Sequence, residues 1–347
     1  MKVLIAYPNK KDNNPFVKTL YKEIKAFEVD IELGLDQFWN NYYNYDIIHI
    51  HWPNSLFEDW IVTEKKLVIL EEILLDIKKR GIKIIYTRHN EIPHYNDNDL
   101  INKVYYLIEN NCDVMVHLGK YKLPLLQFTY NNCKHEVIPH HIYEYSIIDK
   151  VHAKKKLGIP SDSFTLLSLG AIRKREEGRL LLDIFDQINN PNKFLIAPGL
   201  AKWFGLKVPV YRFSFSRIIN LIKKLKLKKT KKVLVFDHYI SEKKIPLIFG
   251  AADIVIIPRV DSLNSGILPL AYANKKVVIG PNNGNIGEIL KETDNYTFED
   301  IPNLLEFFEN ISLKRLLLKE KENYNYAKEN WNIGDISKKY LSVYTNQ

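Results

Sequence analysis

The stretch that decides the fold is residues 46–53, DIIHIHWP. Residues 46–51 form a short, mostly apolar run, typical of a strand that is buried inside a parallel sheet. The run ends at Trp52-Pro53, since a proline cannot donate a hydrogen bond to a strand ladder. The sequence on either side repeats this kind of strand at intervals that leave room for helices.

Short apolar strands alternate with helical patterns through the first 150 residues. Strands are predicted at residues 3–7, 46–51, 83–87, 114–117 and 136–138. Helices are predicted at residues 16–27, with apolar side chains at helical spacing, and at 63–79, where Arg80-Gly81 provides a stop signal. Strands separated by helices of this length require right-handed crossovers and a parallel sheet.

The same alternation resumes after a polar stretch. Residues 149–159 are polar and lead into Pro160, so we expect a linker there. Beyond it, strands are predicted at residues 164–169, 194–197, 233–236, 254–257 and 276–279, with a helix at 179–188. The chain is therefore predicted to be an α/β protein with two Rossmann-like domains facing a cleft, over residues 1–150 and 151–322.

The end of the chain is predicted to be helical from residue 304 to residue 344. Ile333, Ile336, Tyr340 and Tyr344 fall on one helical face. We assign residues 323–347 to a terminal segment that packs on the N-terminal domain.

The net charge of +9 raises the question of an anionic partner. Much of the excess is local, because residues 217–232 contain eight basic and no acidic side chains. Attraction to an anionic membrane surface and a solvated helix face are both open interpretations. No nucleic acid is expected as a partner, because no nucleic-acid-binding motif accompanies the charge.

No apolar run approaches the roughly 18 residues that a membrane span needs, and the N-terminus lacks the features of a signal peptide. The expected location is cytoplasmic, with possible peripheral attachment to the inner face of the plasma membrane.

Two common nucleotide-binding classes are disfavoured by the glycine pattern. No G-x-G-x-x-G follows a candidate first strand, and Gly280, Gly284 and Gly287 have the wrong spacing for it. The phosphate-binding loop G-x-x-x-x-G-K-[ST] is also missing. A nicotinamide-dependent dehydrogenase or a P-loop ATPase is therefore a poor fit.

An ordered set of motifs resembles the GT-B glycosyltransferases, especially glycosyltransferase family 4 and its polysaccharide-assembly relatives. In the first half these motifs are DIIHIHWP, YTRHNEIPH (86–94), DVMVH (113–117) and VIPHHI (137–142). In the second half they are LLSLGAIRKREE (166–177) and the long segment 251–288. The resemblance covers nearly the whole chain, and the set is more specific than any single motif.

The resemblance implies a hexosyltransferase of polysaccharide or glycoconjugate assembly. Its donor would be a nucleotide sugar, such as a UDP- or GDP-sugar, held by the C-terminal domain. Its acceptor would be a saccharide, lipid-linked in such pathways, held by the N-terminal domain. Catalysis without a metal or other cofactor is expected.

The leaving diphosphate needs positive charge and hydrogen-bond donors. Gly170 permits a tight turn after a strand, and Arg173, Lys174 and Arg175 follow it. In family 4 this segment usually carries an arginine and a lysine three residues later. Arg173 matches the first, but Glu176 occupies the second position, so Lys174 or Arg175 would substitute. A solvated basic turn is the alternative.

A second phosphate-binding element is predicted at Asn264, Ser265 and Gly266, which open a helix and can offer free backbone N–H groups. An ordinary helix cap is compatible with this role.

The chain departs from many retaining relatives in this region. Ser262 and Leu270 occupy the positions where those relatives carry paired glutamates, so the stereochemistry of transfer stays open. Glu288 is the remaining candidate acid, for ribose or sugar hydroxyls or simply as a charge near a helix N-terminus.

The predicted catalytic residues are His89 and Glu91, which follow a strand at the sheet edge that usually holds ligands. A histidine can accept a proton near neutral pH, and a carboxylate can do so if burial raises its pKa. Predicted acceptor-binding residues share loops or strand ends in this domain: Asn14, His51, Trp52, Asn90, His94 and His117. A structural role is the alternative for His89, and a core position for Trp52.

Two other functions remain open at this stage. A GT-B sugar-nucleotide epimerase or hydrolase would use the donor without an acceptor. A non-catalytic regulator would bind nucleotide sugar and keep the fold without the chemistry.

Overall fold

The computed structural model describes residues 1–9, 14–57, 61–91, 99–200, 232–236, 240–299, 301–310 and 312–345. Contacts divide the chain into two compact units. The first, here the N-terminal unit, comprises residues 1–141 and 331–347, and the second, the C-terminal unit, comprises residues 142–330. Each unit is built on one parallel sheet, as the alternating pattern predicted.

The N-terminal unit has a six-stranded sheet in the order β2-β1-β3-β4-β5-β6. Its strands are β1 (Lys2–Ile5), β2 (Asp30–Leu33), β3 (Ile47–Ile50), β4 (Lys83–Arg88), β5 (Val114–His117) and β6 (Lys134–Val137). All of the pairings are parallel. The carboxyl ends of these strands therefore meet at one edge of the sheet.

Helices connect these strands and cover the sheet. They are α1 (Pro15–Lys25), α2 (Leu35–Asn40), α3 (Glu64–Lys79), α4 (Asp99–Asn111) and α5 (Leu123–Thr129), with 3₁₀ turns at Tyr42–Asn44 and Pro53–Leu56. Asn14 caps α1 and Thr63 caps α3 through side-chain oxygens. The predicted stop at Gly81 is confirmed, since its φ of +71° is the left-handed conformation that glycine adopts after a helix.

Alternate residues of the central strands enter two different cores. Ile48 and Ile50 of β3 belong to the core that includes α3 and α4, whereas Ile47 belongs to the core that includes α1. Because side chains alternate between faces along a strand, His49 and His51 lie on the α1 side with Ile47. On β4 the same alternation places Thr87 and His89 on that side.

The last helix, here α13 (Ile333–Thr345), packs on the N-terminal unit as predicted. Ile336, Tyr340 and Tyr344 are buried in the core that contains α1. Lys83 Nζ also donates a hydrogen bond to the carbonyl of Val343. The expected return of the C-terminal helix to this domain is confirmed.

The C-terminal unit has a second six-stranded parallel sheet, in the order β12-β11-β10-β7-β8-β9. Its strands are β7 (Phe164–Leu167), β8 (Lys193–Ile196), β9 (Val233–Leu234), β10 (Ile254–Ile256), β11 (Val277–Pro281) and β12 (Tyr296–Phe298). β10 lies beside β7, so the loops that follow these two strands are neighbours at the carboxyl edge.

The described helices of this unit are α6 (Lys150–Leu157), α7 (Arg175–Gln187), α8 (Ile245–Ala251), α9 (Ile267–Ala273), α10 (Gly284–Glu292), α11 (Ile301–Asn310) and α12 (Leu313–Asn330), with a 3₁₀ turn at Glu242–Lys244. Buried side chains of α7 pack with those of β7, β8, β10 and β11 in one core.

The linker expected at residues 149–159 is wrong. This segment forms helix α6, with the Asp149 side chain accepting a hydrogen bond from the backbone N–H of His152. Gly158, at φ +69°, ends the helix. The helix was missed because its lysine-rich sequence lacks an apolar stripe, although both caps were visible in the sequence.

The basic segment 217–232 lies outside the described residues except for Lys232. Among the described residues, no helix combines the length and apolar character that crossing a membrane requires.

Candidate functional site

Three predicted site residues lie at the carboxyl edge of the N-terminal sheet. His51 follows β3, His89 follows β4, and His117 is the last residue of β5. β3, β4 and β5 are adjacent in the sheet, so their ends are neighbours. The predicted edge therefore carries histidines on three consecutive strands.

His51 and His89 are joined by a hydrogen bond of 2.9 Å between His51 Nδ1 and His89 Nε2. The Tyr21 hydroxyl, from α1, bonds to His51 Nε2 on the other side of that ring. Tyr21 Oη also lies 2.9 Å from His49 Nδ1. Together these contacts form a buried polar chain, Tyr21–His51–His89, which ends at the sheet edge.

Further hydrogen bonds link His49 to the C-terminal helix α13. The Tyr344 hydroxyl lies 2.8 Å from His49 Nδ1, and His49 Nε2 lies 2.9 Å from Thr87 Oγ1. Thr87 Oγ1 is in turn 3.3 Å from the Tyr340 hydroxyl. Polar groups that would be costly to bury alone are thus satisfied by one another.

Aromatic rings contact His89. The Trp52 ring stacks on it, with centroids 4.1 Å apart and planes 21° apart. The Phe16 ring meets it edge-on, at 5.0 Å and 90°. His89 retains only 7% exposure, while Trp52 is half-buried. Trp52 therefore supports the histidine ring while exposing part of its own surface.

Burial keeps these histidines neutral. Loss of solvation lowers the pKa of His51 to about 3. It also holds the pKa of His49 and of His89 well below 6.5, with neighbouring histidines adding to the effect. At pH 7 each ring therefore carries one proton, and each can both donate and accept a hydrogen bond.

The remaining residues of the predicted loop lie at the surface or beyond the described residues. The Glu91 side chain is 34% exposed and forms an ion pair of 3.0 Å with Lys122, so its role as a proton acceptor stays a prediction. Asn90, the residue after His89, is half-buried. His94 lies outside the described residues.

Asn14 and His117 have structural partners. Asn14 Oδ1 accepts a hydrogen bond of 2.9 Å from the backbone N–H of Phe16. His117 Nε2 lies 2.8 Å from His135 Nδ1, and the two rings stack 5.1 Å apart. Burial lowers the pKa of His117 to about 3. His135 Nε2 in turn donates to the carbonyl of Tyr130 at 2.9 Å.

At the carboxyl edge of the C-terminal sheet, Gly170 makes the turn that was predicted after β7. Its φ of +108° is a conformation that other residues rarely adopt. A Cβ at Gly170 would lie 2.9 Å from Ile267 Cδ1, and one at Gly199 would lie 2.1 Å from the carbonyl oxygen of Gly170. The loops after β7 and β8 and the start of α9 therefore approach one another closely.

Glu177, in the first turn of α7, organises the loop that follows Gly170. Its Oε2 accepts the backbone N–H of Arg173 at 2.9 Å, and its Oε1 accepts Arg259 Nε at 3.0 Å. Arg259 Nη2 also donates to the carbonyl of Ala171 at 2.8 Å. This buried carboxylate therefore anchors the backbone at Arg173 and the guanidinium group of Arg259, which lie in neighbouring loops.

Of the other predicted basic residues, Lys174 forms an ion pair with Asp261 in which both side chains are about half exposed. Arg175 is exposed at the start of α7. Lys174 thus joins the loops after β7 and β10.

The predicted turn at residues 264–266 does precede a helix, and Gly266 is the residue before α9. The backbone N–H of Ile267 donates to Ser265 Oγ at 3.3 Å. Asn264 Oδ1 accepts from Asn285 Nδ2 at 2.8 Å, which connects this turn to α10.

Ser262 and Leu270, the residues expected at the glutamate positions of retaining relatives, are buried. Ser262 donates to the carbonyl of Asn264 at 2.8 Å, and Leu270 lies on the buried side of α9. Glu288 is exposed on the second turn of α10.

Sequence reasoning missed Tyr21, Glu177 and Arg259. Arg259 could have been found, because it lies in the loop that follows β10, at the edge where ligands usually bind. Tyr21 gave no such signal, since it lies on the apolar side of α1 and is 2% exposed. Among the residues that the structure describes, no group of three or more histidine, cysteine or acidic side chains could hold a metal ion.

No protein-family model and no curated protein matches the sequence. Solved structures do match the fold. HepE from Anabaena in complex with UDP matches with a TM-score of 0.70 and 13% identity, over 100% of both chains. HepE in complex with UDP-glucose gives a TM-score of 0.68.

Two further solved structures give the same result. Sucrose-phosphate synthase from Thermosynechococcus elongatus matches with a TM-score of 0.68 and 14% identity, over 99% of this chain and 88% of that one. A glycosyltransferase from Rickettsia africae matches with a TM-score of 0.61 and 17% identity, over 98% of this chain and 83% of that one. At these identities the likeness establishes the fold, and the predicted GT-B architecture of two Rossmann-like domains is confirmed.

Proposed function

We propose that the chain is a glycosyltransferase that moves a hexose from a nucleoside diphosphate sugar to a hydroxyl of a saccharide or lipid-linked acceptor. UDP-sugars are the first donors to test, because HepE, which shares the fold along its whole length, binds UDP and UDP-glucose. The proposed setting is assembly of a bacterial polysaccharide or glycoconjugate.

The observation that carries the proposal is the loop arrangement at the carboxyl edge of the C-terminal sheet. Gly170 brings the loop after β7 against the start of α9, and Glu177 holds Arg173 and Arg259 in neighbouring loops. Close backbone approach together with a fixed guanidinium group, that of Arg259, suits a diphosphate. Arg173 and Arg259 are the proposed charges that stabilise the leaving diphosphate.

Hydrogen-bond donors complete the proposed donor site. The Ser265 hydroxyl oxygen accepts from Ile267, so its hydrogen can be donated to a phosphate oxygen. Lys174 and Arg175 are exposed cations at the start of α7, after the Gly170 turn. Glu288 is proposed to accept from a ribose or sugar hydroxyl.

In the proposed reaction, the acceptor oxygen bonds to the anomeric carbon while the bond from that carbon to the diphosphate breaks. The nucleoside diphosphate leaves with the bonding electrons, and His89 receives the proton of the acceptor hydroxyl. A histidine with a lowered pKa is neutral and ready to accept. It takes the proton in the transition state, when bond formation has made the hydroxyl acidic.

The exposed part of Trp52 is proposed to contact the acceptor, since an aromatic face suits a sugar ring. Attachment to an anionic membrane surface through residues 217–232 is also proposed, on the charge of that segment alone. The screening of this attraction by salt gives it a simple test, binding to anionic vesicles at low and high ionic strength.

The test of the donor proposal is a thermal-shift panel of UDP-, GDP- and CMP-sugars. A ligand at 100 times its dissociation constant adds about 2.7 kcal/mol of stability. We expect stabilisation by UDP-sugars and loss of that effect in an Arg173→Ala, Arg259→Ala double variant. Arg179→Ala, an exposed change on the same helix as Glu177, is the matched control. If none of these nucleotide sugars stabilises the protein, the proposed donor site is wrong.

A further inference from the structure

Helix α12 exposes leucine side chains in its first two turns. Leu313, Leu317 and Leu318 are 66%, 55% and 57% exposed. Lys314 and Lys321 of the same helix are exposed as well. At about 100° per residue, these five side chains fall within one arc of roughly 140° around the helix. The start of α12 therefore presents a surface that is both apolar and basic, here the leucine face.

The acidic side chains of this part of α12 lie on other sides of the helix. Glu320 lies 4.0 Å from the buried Lys276, and Glu322 forms an ion pair of 2.7 Å with Lys319. Neither carboxylate falls within the arc that holds the leucines. The leucine face therefore carries a net positive charge.

The leucine face lies at the amino edge of the C-terminal sheet. A groove of about 480 Å³ is lined by Leu313, by Phe164 at the start of β7 and by Asn190, which precedes β8. Because the strands of this sheet are parallel, the residues that precede them share one edge. The loops of the proposed donor site follow β7 and β10, so they lie at the opposite edge.

The basic segment 217–232 ends at the same amino edge. Lys232, its last residue, precedes β9, and its Nζ donates to the carbonyl of Pro191 at 3.1 Å. Pro191 follows Asn190, which lines the groove beside Leu313. The eight basic side chains of this segment therefore lead to the edge that carries the exposed leucines.

Two acidic residues also line the groove. Asp253 is compensated by Lys150, whose Nζ lies 2.6 Å from its carboxylate. Glu309 is exposed and adds one negative charge. The lysines of the leucine face outnumber it even without the segment 217–232. The charge of this edge therefore favours an anionic partner.

We propose that the leucine face docks on the surface of an anionic phospholipid bilayer. Leucines that are exposed beside lysines suit the boundary between headgroups and acyl chains, where leucine leaves water while each lysine meets a phosphate. The inference rests on the membrane attachment proposed above, and it adds an apolar anchor to the charge of residues 217–232. The donor loops, at the other edge of the sheet, stay open to the water from which a nucleotide sugar arrives.

The test is co-sedimentation of the full chain with vesicles of equal parts phosphatidylglycerol and phosphatidylcholine, with pure phosphatidylcholine vesicles as the neutral reference. We expect the wild type to bind the anionic vesicles. A Leu317→Ser, Leu318→Ser double variant should bind at least about 10-fold more weakly, because it buries less apolar area in the interface. Val68→Ser, Leu75→Ser is the matched control, since these side chains of α3 are 55% and 50% exposed. It should bind as the wild type does.

Salt separates anchoring from attraction by charge. High ionic strength screens the lysines but leaves the burial of apolar area intact. The wild type should therefore keep part of its binding at high salt, whereas the Leu317→Ser, Leu318→Ser variant should lose it. Thermal unfolding of each variant shows that it is folded.

Leu318→Trp gives a second measurement, which does not depend on a loss of binding. If this side chain enters the bilayer, its fluorescence shifts to shorter wavelength with anionic vesicles and is quenched by brominated phospholipid. Val68→Trp, on α3, should show neither change.

The outcomes separate the leucine anchor from the functions proposed above. No binding by the wild type at low salt would overturn both the membrane attachment and the anchor. Equal binding by the wild type and the leucine variant would leave attachment by charge and overturn the anchor. A wild-type dimer that the leucine substitutions dissociate, with no response from Leu318→Trp, would assign the face to a second copy and also overturn it. Stabilisation by nucleotide sugars should be the same in the leucine variant, so the donor site is tested separately.

Discussion

At the scale of single residues, Glu177 shows how one buried carboxylate can shape a loop. It is 6% exposed, and its two oxygens accept from the backbone of Arg173 and from the Arg259 side chain. Without it, the Arg259 guanidinium would lose its charged partner, and the turn that carries Arg173 would lose its anchor. Glu177 would therefore act on the proposed donor site through these two arginines rather than by touching the donor.

Glu177→Ala should therefore reduce both stability and donor binding. Removing one partner of a buried ion pair commonly costs about 3–5 kcal/mol, and Arg259 is partly exposed, so the lower end is expected here. Urea unfolding gives the stability, and calorimetric titration with the stabilising nucleotide sugar gives the affinity. Glu176→Ala is the control, since that neighbouring carboxylate is exposed. Equal stabilities for the two variants would show that the Glu177 contacts contribute little.

At the scale of elements, Gly158 and Gly170 both have a positive φ, but only Gly170 lies close to a side chain of another helix. Gly158 ends helix α6 at φ +69°, and a Cβ added there meets no atom within 4 Å. Gly170 has φ +108°, and a Cβ there lies 2.9 Å from Ile267. Only the second lies where the proposed diphosphate site requires the loop to approach α9.

Gly158→Ala should cost about 1 kcal/mol, from backbone strain alone. Gly170→Ala should cost more, about 2–3 kcal/mol, because strain and steric overlap combine. It should also weaken nucleotide-sugar binding, which Gly158→Ala should leave unchanged. Thermal unfolding and titration of both proteins check this. Wild-type donor affinity in Gly170→Ala would remove this turn from the donor site.

Helix α13 gives a second prediction at this scale. Tyr340 is fully buried in the core of the N-terminal unit, whereas Lys339 is exposed on the same helix. Tyr340→Ala should cost about 3–5 kcal/mol, as large aromatic truncations in cores do, and Lys339→Ala should be nearly neutral. Denaturant unfolding measures both. Similar stabilities would mean that the terminal helix contributes little to the unit.

Several elements could be predicted from the sequence because their physical signals are local. The strand at β3 is a continuous apolar run, and α3 has both an apolar face and a glycine stop. The edge strands β2, with sequence DIEL, and β12 were missed because edge strands are short and need not be apolar. Lysine-rich α6 was missed because few of its side chains are buried.

In the candidate site, too, only features with a local signal could be predicted from the sequence. His51 and His89 were identified because strand ends in a parallel sheet share one edge. Their partner Tyr21 lies 30 residues before His51, and Tyr344 lies 295 residues after His49. No local pattern encodes contacts between such distant residues, so the polar chain that joins them is visible only in the fold.

At the scale of the whole molecule, neutral buried histidines make stability depend on pH. Within the described residues, burial lowers the pKa of His49, His51, His89, His117 and His140. In the unfolded chain such histidines titrate near ~6.5. Below that pH the unfolded state binds more protons than the folded state. The contribution of these histidines to the free energy of unfolding is therefore fully present above pH 6.5 and is lost as the pH falls toward 3.

The free energy of unfolding should therefore fall steeply in mild acid. Each fully neutral histidine removes up to about 1.4 kcal/mol per pH unit below its unfolded pKa, so two of them alone remove about 3 kcal/mol between pH 6.5 and 5. Urea midpoints measured across this range give the slope. His117→Gln removes one of these histidines, so it should reduce the number of protons taken up on unfolding by about one, and the slope by about 1.4 kcal/mol per pH unit. A stability that stays constant from pH 7 to pH 5 would contradict the neutral state of these histidines.

The central claim is sugar transfer with His89 as the proton acceptor. The most direct measurement is release of nucleoside diphosphate from the stabilising nucleotide sugar, with and without a bacterial membrane-lipid extract as a source of acceptors, in the wild type and in His89→Ala. We predict release that depends on the extract, forms a sugar-labelled product, and falls about 100-fold or more in the variant. Release that is independent of any acceptor, or that is equal in the two proteins, would contradict the account.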